Sequence, residues 1–297
     1  MSLKATSLLR FFRVLSMLKP RTVQTVGAVI GWLFFWLPNR ERRYAQINID
    51  LCFPELSSLE KRRLLKQSLT ENAKTLVEMP AIWLGEPDSW LSLIQREEGG
   101  EILESLLKQG KGVILAGPHL GAWEVAGLRL ATLGHPLTTL YRPPRYPALQ
   151  EVMFNGRSRT GATLVPTDAR GIKALYQALK RGEMVAILPD QQPKTVRGGV
   201  FAPFFGEPAL TMDLVSRLAR KSGAPVVFTF MERLPGAGGF CHHWVESPDG
   251  IGDADPVVAA TALNKGVEAC VRRCPQQYQW TYKRFRAKPD GSSRSYS

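Results

Sequence analysis

The stretch Val113-Ile114-Leu115-Ala116-Gly117-Pro118-His119-Leu120-Gly121-Ala122-Trp123-Glu124 decides how the middle of this chain folds. Its first four residues form an apolar run that is typical of a buried strand. His119 follows the end of that run, and Glu124 comes five positions later. A strand that ends in this way can place an imidazole and an orienting acid in one pocket, where they act as a general base toward a hydroxyl group. On spacing alone, a hydrogen-bonded structural histidine is the alternative.

Short apolar runs alternate with amphipathic stretches on both sides of this segment. Predicted strands cover 112–116, 137–141, 163–165, 184–188 and 226–230, and predicted helices cover 101–109, 124–133, 149–160, 171–181 and 212–222. This alternation predicts an α/β fold with a mixed, largely parallel sheet flanked by helices. Such sheets bind ligands beyond the carboxyl ends of their strands. His119, Arg142 and Asp190 each follow a predicted strand, so we expect them at one edge of the sheet.

Positive charge is concentrated at the two ends of the 297-residue chain, whose formal net charge is +13. Residues 1–66 carry 12 Lys and Arg against four Asp and Glu, and residues 271–297 carry seven against one. A nucleic-acid-binding module more often spreads its basic residues over one folded face. Basic ends beside an apolar segment suit an anionic membrane surface instead. We therefore expect membrane contact and no nucleic-acid partner, with a non-catalytic basic module as the alternative.

The apolar segment is TVQTVGAVIGWLFFWL at residues 22–37, which carries no charge. A membrane-spanning helix needs about 20 apolar residues, with a lower limit of about 17. Residues 8–18 are apolar but contain Arg10 and Arg13, as an interfacial helix does. We predict that residues 1–44 form an N-terminal membrane-anchor segment, spanning or interfacial, and that residues 45–297 form the α/β domain. A buried core helix is the alternative for the apolar segment.

Further polar and aromatic residues near the predicted strand ends are candidates for substrate binding. Arg142 lies between a strand and two prolines, so its backbone is restricted, and arginine suits phosphate, carboxylate or a developing oxyanion. The Phe-rich segment 198–206 indicates an apolar lining for a fatty chain, with core packing as the alternative. The predicted substrate-binding residues are Arg142, Asn155, Arg157, Asp190, Gln191, Phe201 and Phe204.

The four cysteines indicate neither a disulfide framework nor a metal centre. Cys270 and Cys274 are one helical turn apart, but Cys52 and Cys241 give no second pair with metal-ligand spacing. Small buried thiols are the simplest interpretation. We expect no metal ion and no cofactor, and a catalytic domain on the cytoplasmic side of a membrane.

Taken in order, these segments resemble the bacterial lipid A biosynthesis acyltransferases, the late lauroyl and myristoyl transferases related to the glycerol-phosphate acyltransferases. The resemblance covers nearly the whole chain. It rests on the apolar N-terminal segment, CFPE at 52–55, GPHLGAWE at 117–124, YRPP at 141–144, PDQ at 189–191 and VFAPFFG at 200–206.

The resemblance implies transfer of a fatty acyl group from acyl carrier protein to a hydroxyl of a lipid A precursor, at the cytoplasmic face of the inner membrane. It implies that His119 is the general base and that Glu124 orients its ring, because these residues match the family's His-x4-acid motif. Arg142 and Asp190 match later blocks. The glycerol-phosphate branch typically has Asn before the His and Asp as the acid, where this chain has Pro118 and Glu124. Acylation of another membrane lipid, such as a lysophospholipid or an aminolipid, is the alternative.

Overall fold

The computed structural model describes residues 3–144, 147–193, 195 and 198–296. Its helices are α1 (Leu3–Ser16), α2 (Pro20–Trp36), α3 (Arg40–Cys52), α4 (Ser58–Leu84), α5 (Pro87–Leu91), α6 (Gly100–Leu107), α7 (Trp123–Ala131), α8 (Pro147–Ser158), α9 (Ala169–Lys180), α10 (Leu214–Ser222) and α11 (Pro256–Arg273). Its strands are β1 (Ile94–Glu98), β2 (Val113–Ala116), β3 (Leu137–Tyr141), β4 (Thr163–Pro166), β5 (Met184–Ile187), β6 (Gly199–Phe204), β7 (Glu207–Met212), β8 (Val226–Arg233) and β9 (Phe240–Glu246).

Seven strands form one sheet in the order β1-β9-β8-β2-β5-β3-β4. Neighbouring strands pair in parallel except β8 and β9, which are antiparallel. The predicted α/β fold with a mixed, largely parallel sheet is therefore confirmed. The two remaining strands, β6 and β7, form a separate antiparallel hairpin.

The centre of the sheet positions the predicted site residues. β2 lies between β8 and β5, and its four residues are completely buried, as the apolar run predicts. β5 in turn pairs with β3. Because β2, β5 and β3 are parallel neighbours, their carboxyl ends meet at one edge of the sheet. The segments that contain His119, Asp190 and Arg142 leave the sheet at that edge.

Helix α2 packs lengthwise against α4. Every fourth residue of α2 is buried in this contact, namely Val23, Gly27, Gly31 and Phe35. A β-carbon at Gly27 or Gly31 would overlap the backbone of α4, so glycine permits this close approach.

This packing bears on the predicted membrane anchor. Among the described residues, no helix is long and apolar enough to cross a membrane. The sequence leaves open whether the predicted anchor spans or lies in the interface, and this finding does not support the spanning form. The physical reason is that α2 ends at Trp36 after 17 residues and buries one of its faces against α4.

Candidate active site

His119 lies in a turn that the surrounding backbone fixes from several sides. The N–H of Gly117 donates to the carbonyl of Ile187 at 3.0 Å, and the N–H of Gln279 donates to the carbonyl of His119 at 3.0 Å. Gly121 has a φ of 62°, and a β-carbon there would overlap the carbonyl oxygen of Met231. Only glycine fits this position without strain. The imidazole is thereby held at the carboxyl end of β2.

Asp190 holds His119 through both of its carboxylate oxygens. Its Oδ1 lies 2.8 Å from His119 Nδ1, and its Oδ2 accepts the backbone N–H of His119 at 3.0 Å. Burial opposes the ionisation of Asp190, but the charge and hydrogen bonds of His119 outweigh it and lower the pKa of this carboxyl. An ionised carboxylate can only accept, so Nδ1 carries the hydrogen. His119 Nε2 then has a lone pair that can receive a proton.

The Nε2 side of the imidazole faces a pair of amide side chains. Gln191 Nε2 lies 3.2 Å from His119 Nε2 and 3.3 Å from Gln279 Oε1. Since the imidazole nitrogen is the acceptor, the Gln191 amide donates to it, and Gln279 offers the same amide a second acceptor. The ring of Trp123 meets the imidazole edge to face at 5.2 Å. Gln191 is thus the predicted substrate-binding residue that lies closest to the reactive nitrogen.

Glu124 is bonded to Arg157 and Trp83. Its Oε2 accepts Trp83 Nε1 at 2.9 Å and Arg157 Nε at 3.1 Å, and its Oε1 accepts Arg157 Nη2. Burial would raise the pKa of Glu124, but Arg157 and Trp83 outweigh burial and lower it. Burial likewise opposes the charge of Arg157, yet Glu124 raises the pKa of the guanidinium.

These contacts differ from the ring-orienting hydrogen bond that the sequence predicts for Glu124. The residue lies in the first turn of α7 and bonds to side chains of α4 and α8. Asp190 follows β5, which is the neighbour of β2 in the sheet, and therefore reaches the imidazole. Sheet order places Asp190 at His119, although it is 71 positions away in the chain.

An apolar cavity, lined by residues that flank His119 in the chain though not by His119 itself, extends between the sheet and α7. Its empty space is about 900 Å³, including the part that is open to solvent. Pro118 and Trp123 line it on either side of His119, and Glu124 and Arg157 supply its charged groups. Its apolar walls come from α4, α7 and five strands or their ends, including Ile82, Leu115, Leu128, Leu130, Leu137, Leu164, Ile187 and Phe230.

Gly127 lies at the centre of the α7 face that borders this cavity. Trp123, Ala126 and Leu130 flank it at helical spacing and line the same space. A β-carbon at Gly127 would meet no other atom within 4 Å. The absence of a side chain at this position therefore leaves the cavity wider.

The other predicted substrate-binding residues lie outside this cluster. Arg142 is exposed beyond β3. Its charge favours ionisation of the Tyr282 hydroxyl, but burial outweighs this effect and raises the pKa of Tyr282. Asn155 is exposed on α8. Phe204 is 1% exposed and packs in the core against Phe205 and Phe285. Phe201 pairs with Leu210 inside the β6–β7 hairpin.

The predicted apolar lining from Phe201 and Phe204 is therefore corrected. Neither ring is among the residues that line the cavity beside His119. The reason is that the hairpin packs on α11 and turns Phe204 into the main core. The residues that provide the apolar walls belong to α7 and the central strands instead.

Sequence reasoning missed the C-terminal contribution to the site. The buried hydroxyl of Tyr278 is hydrogen bonded to Asp190, and burial together with that charge raises the pKa of Tyr278 well above its usual value. Asn72 donates to the carbonyl of Tyr278 at 3.0 Å, and Asn48 donates to the carbonyl of Trp280 at 2.6 Å. No local pattern signals these contacts, because they join segments about 200 residues apart.

One further cluster combines thiol, imidazole and carboxylate groups, at the β1–β9 edge. Among the described residues, Glu98, Cys241 and His243 bring ligand-type atoms within 4.8 Å of one another. His243 Nε2 lies 2.8 Å from Glu232, and its Nδ1 lies 3.2 Å from both Glu98 and Arg273. These ion pairs already engage the imidazole, so we assign the cluster to structural pairing between strands and α11.

Comparisons with known proteins agree on one family. A family model described as "Bacterial lipid A biosynthesis acyltransferase" matches residues 6–287. The chain is 30% identical over 277 residues to the lipid A biosynthesis lauroyltransferase of Escherichia coli (strain K12), covering 92% of this chain and 88% of that protein. It is 30% identical over 272 residues to the palmitoleoyltransferase of the same organism (91% and 87% covered) and 26% identical over 281 residues to its myristoyltransferase (93% and 85% covered).

Proposed function

The chain belongs to the bacterial lipid A biosynthesis acyltransferase family, and we propose from this that it transfers a fatty acyl group from acyl carrier protein to a hydroxyl of a lipid A precursor. The observation that carries the proposal is His119, whose Nδ1 lies 2.8 Å from Asp190 and whose flanking residues Pro118 and Trp123 line an apolar cavity. A base for a hydroxyl and a space for a hydrocarbon chain are the two things that acyl transfer to an alcohol requires.

In the proposed mechanism, His119 Nε2 removes the proton from the acceptor hydroxyl as its oxygen attacks the thioester carbonyl. Gln191 vacates Nε2 for the hydroxyl and keeps its contact with Gln279. Asp190 stabilises the imidazolium that forms. The tetrahedral intermediate then collapses, the carbon–sulfur bond breaks, and the proton on Nε2 passes to the departing carrier thiolate. The products are the ester and the free carrier thiol.

Arg157 is the cation best placed to stabilise the negative charge on the intermediate. Its Nε and Nη2 bond to Glu124, its side chain is 32% exposed, and the residue lines the cavity. Glu124 and the ring of Trp83, 5.7 Å from the guanidinium carbon, fix the orientation of Arg157. A preorganised donor of this kind contributes about 3–4 kcal/mol to catalysis. In this proposal Glu124 acts by positioning Arg157.

The cysteines favour direct transfer over an acyl-enzyme intermediate. All four thiols are buried. Burial raises the pKa of Cys241 to about 11 and that of Cys270 to about 12, and it also raises the pKa of Cys52 and Cys274. A thiol must ionise and be accessible to act as a nucleophile.

We further propose that residues 1–44 hold residues 45–297 at the cytoplasmic face of the inner membrane without spanning it. The outer sides of α1 and α2 expose large apolar side chains: Phe11, Val14, Met17, Val29, Trp32, Leu33 and Trp36. Met17 is 84% exposed, and the exposed cations Arg10, Arg13 and Arg21 lie beside this surface in the chain. Apolar side chains bordered by cations suit an interfacial helix on anionic lipid.

A single-turnover assay tests the proposed reaction. Wild type and His119→Ala would be given acyl carrier protein loaded with labelled fatty acid and a tetra-acylated lipid A precursor, with circular dichroism to verify folding. We expect transfer by wild type and a loss of at least about 100-fold in the variant. Lysophospholipid and aminolipid acceptors in parallel test the alternative acceptors. Transfer to one of these but not to the precursor would contradict the proposed acceptor, and an active His119→Ala variant would contradict the mechanism.

A further inference from the structure

A groove separate from the acyl cavity lies over one face of α4. Its floor follows helical spacing along Arg63, Lys66, Gln67, Thr70, Glu71 and Lys74. One wall includes Gln24 of α2, and the other includes residues 234–237 and 276–277. The empty space is about 1060 Å³, including the part open to solvent. Gly27 and Gly31 bring α2 so close to α4 that the first wall is fixed.

The groove carries excess positive charge. Four of its lining side chains are cationic and one is anionic, namely Arg63, Lys66, Lys74 and Arg233 against Glu71. Glu71 is already bonded to Lys74 at 2.5 Å. Arg63 and Lys66 are exposed, and neither has an ion-pair partner within 4 Å among the described residues. The charge of Arg63 helps to lower the pKa of Glu60, which lies on the same turn of the helix. Two cations on one edge of the groove therefore lack counter-ions.

Arg233 lies at the base of this groove with one nitrogen unsatisfied. It is 5% exposed, its Nε lies 2.9 and 3.1 Å from the two oxygens of Glu78, and its Nη2 donates to Thr75 at 2.7 Å. Nη1 makes no hydrogen bond in the described structure but is ion-paired with Glu71, whose Oε2 lies 3.5 Å away and also lacks a hydrogen-bond partner. Arg233 therefore lies between Glu71 and Glu78 and adds no net positive charge to the groove. The unpaired positive charge of the groove comes from Arg63 and Lys66.

The two sides of the groove differ in polarity. The α4 side carries the cations, whereas Leu234, Pro235 and Ala237 make the opposite rim apolar. The groove also flanks α2, whose outer side exposes Val29, Trp32 and Trp36. An anion alone would use only the cationic side. A ligand with an anionic head joined to an apolar body would use both.

We propose that this groove binds the phosphate group of a lipid, with Arg63 and Lys66 as the first contacts. Lysine and arginine bind phosphate through charge-assisted hydrogen bonds. The lipid body would lie along the apolar rim formed by Leu234, Pro235 and Ala237. The site is distinct from the cavity beside His119, and its existence does not depend on the acyl-transfer reaction.

Calorimetric titration of the full chain in non-ionic detergent tests the site directly. The probes are dihexanoyl phosphatidate below its critical micelle concentration, dihexanoyl phosphatidylcholine and inorganic phosphate. We expect saturable one-to-one binding of phosphatidate to wild type, weakened at least about tenfold in Arg63→Gln/Lys66→Gln. Lys108→Gln/Lys111→Gln removes the same charge from exposed positions at the end of α6 and should change affinity less than about twofold.

Any of four results would overturn the proposal. The absence of saturable phosphatidate binding, or equal binding by both double variants, would rule out a site at Arg63 and Lys66. Equally tight binding of inorganic phosphate would show that the lipid body contributes nothing. Equally tight binding of phosphatidylcholine would show that net negative charge is not what is recognised. Because Arg63 and Lys66 are exposed, both variants should fold, which thermal unfolding verifies.

Discussion

Asp190 and Glu124 are two buried carboxylates at the same edge of the sheet, and each binds a different nitrogen-bearing side chain. Asp190 holds the imidazole of His119, whereas Glu124 holds the guanidinium of Arg157 and the indole of Trp83. Both have a lowered pKa, so both are ionised at neutral pH. Glu124 is five positions from His119 and Asp190 is 71 positions from it. Which carboxylate contacts His119 is therefore decided by the order of the strands in the sheet. Distance along the chain does not predict this contact.

The largest expected effect comes from neutralising the carboxylate that holds His119. Asp190→Asn preserves shape but replaces an acceptor with a group that can donate, which favours the wrong imidazole tautomer. We expect a loss of about 10³–10⁴-fold in the single-turnover rate. The matched control is Asp168→Asn, which neutralises an exposed acid paired with Arg170 and should leave the rate unchanged. A loss below about tenfold in Asp190→Asn would contradict its assignment.

Neutralising Glu124 should lower the single-turnover rate by a smaller factor than neutralising Asp190. Glu124→Gln leaves the tautomer of His119 intact but loosens Arg157, so we expect a loss of about 100-fold. Because both residues act through one guanidinium, Glu124→Gln/Arg157→Gln should be no worse than Arg157→Gln alone. Glu183→Gln, which breaks the pair of a half-buried acid with the exposed Arg181, is the control. Additive losses in the double variant would mean that Glu124 acts independently of Arg157.

The positions of these residues at strand ends could be predicted from the sequence, but their contacts could not. The strand pattern predicted the sheet and placed His119, Asp190 and Arg142 at strand ends, because apolar runs and breakers are local signals. It could not assign partners, since strand order in the sheet is set by packing between distant segments. Tyr278 and Gln279 were missed for that reason. Phe204 was misassigned because an apolar ring has the same sequence signature in a core as in a binding surface.

A third test concerns the apolar space beyond the two carboxylates. Gly127→Leu would place a side chain in the cavity without altering Asp190 or Glu124. We expect kcat/KM for the longest accepted donor to fall more than about tenfold and the preference to move to shorter chains, since each excluded methylene is worth about 1–3 kcal/mol. Gly127→Ala should give a smaller shift in the same direction. An unchanged chain-length profile for Gly127→Leu would mean that the acyl chain does not use this cavity.

The smallest expected effect is on stability in acid. Groups whose pKa is lowered by folding contribute stability above their unfolded pKa and lose it as pH falls through the folded pKa. Asp190→Asn and Glu124→Gln should therefore each flatten the pH dependence of the unfolding free energy below about pH 4.5. Burial lowers the pKa of His242 to about 4, so the unfolding free energy also falls as the pH drops from about 6.5 to 4. That loss is common to all three proteins, so it cancels in the comparison of denaturant unfolding curves. A steeper acid limb in either variant would contradict the lowered pKa.

The tautomer of His119 tests the central claim most directly. Side-chain ¹⁵N chemical shifts of labelled protein at neutral pH would be recorded for wild type, Asp190→Asn and Glu124→Gln, with the His119 signals assigned from a His119→Gln sample. We predict a protonated Nδ1 and an unprotonated Nε2 in wild type, the same pattern in Glu124→Gln, and a changed pattern in Asp190→Asn. A wild-type imidazole protonated on Nε2, or a pattern that changes in Glu124→Gln and not in Asp190→Asn, would contradict the assignment of Asp190 as the residue that orients the base.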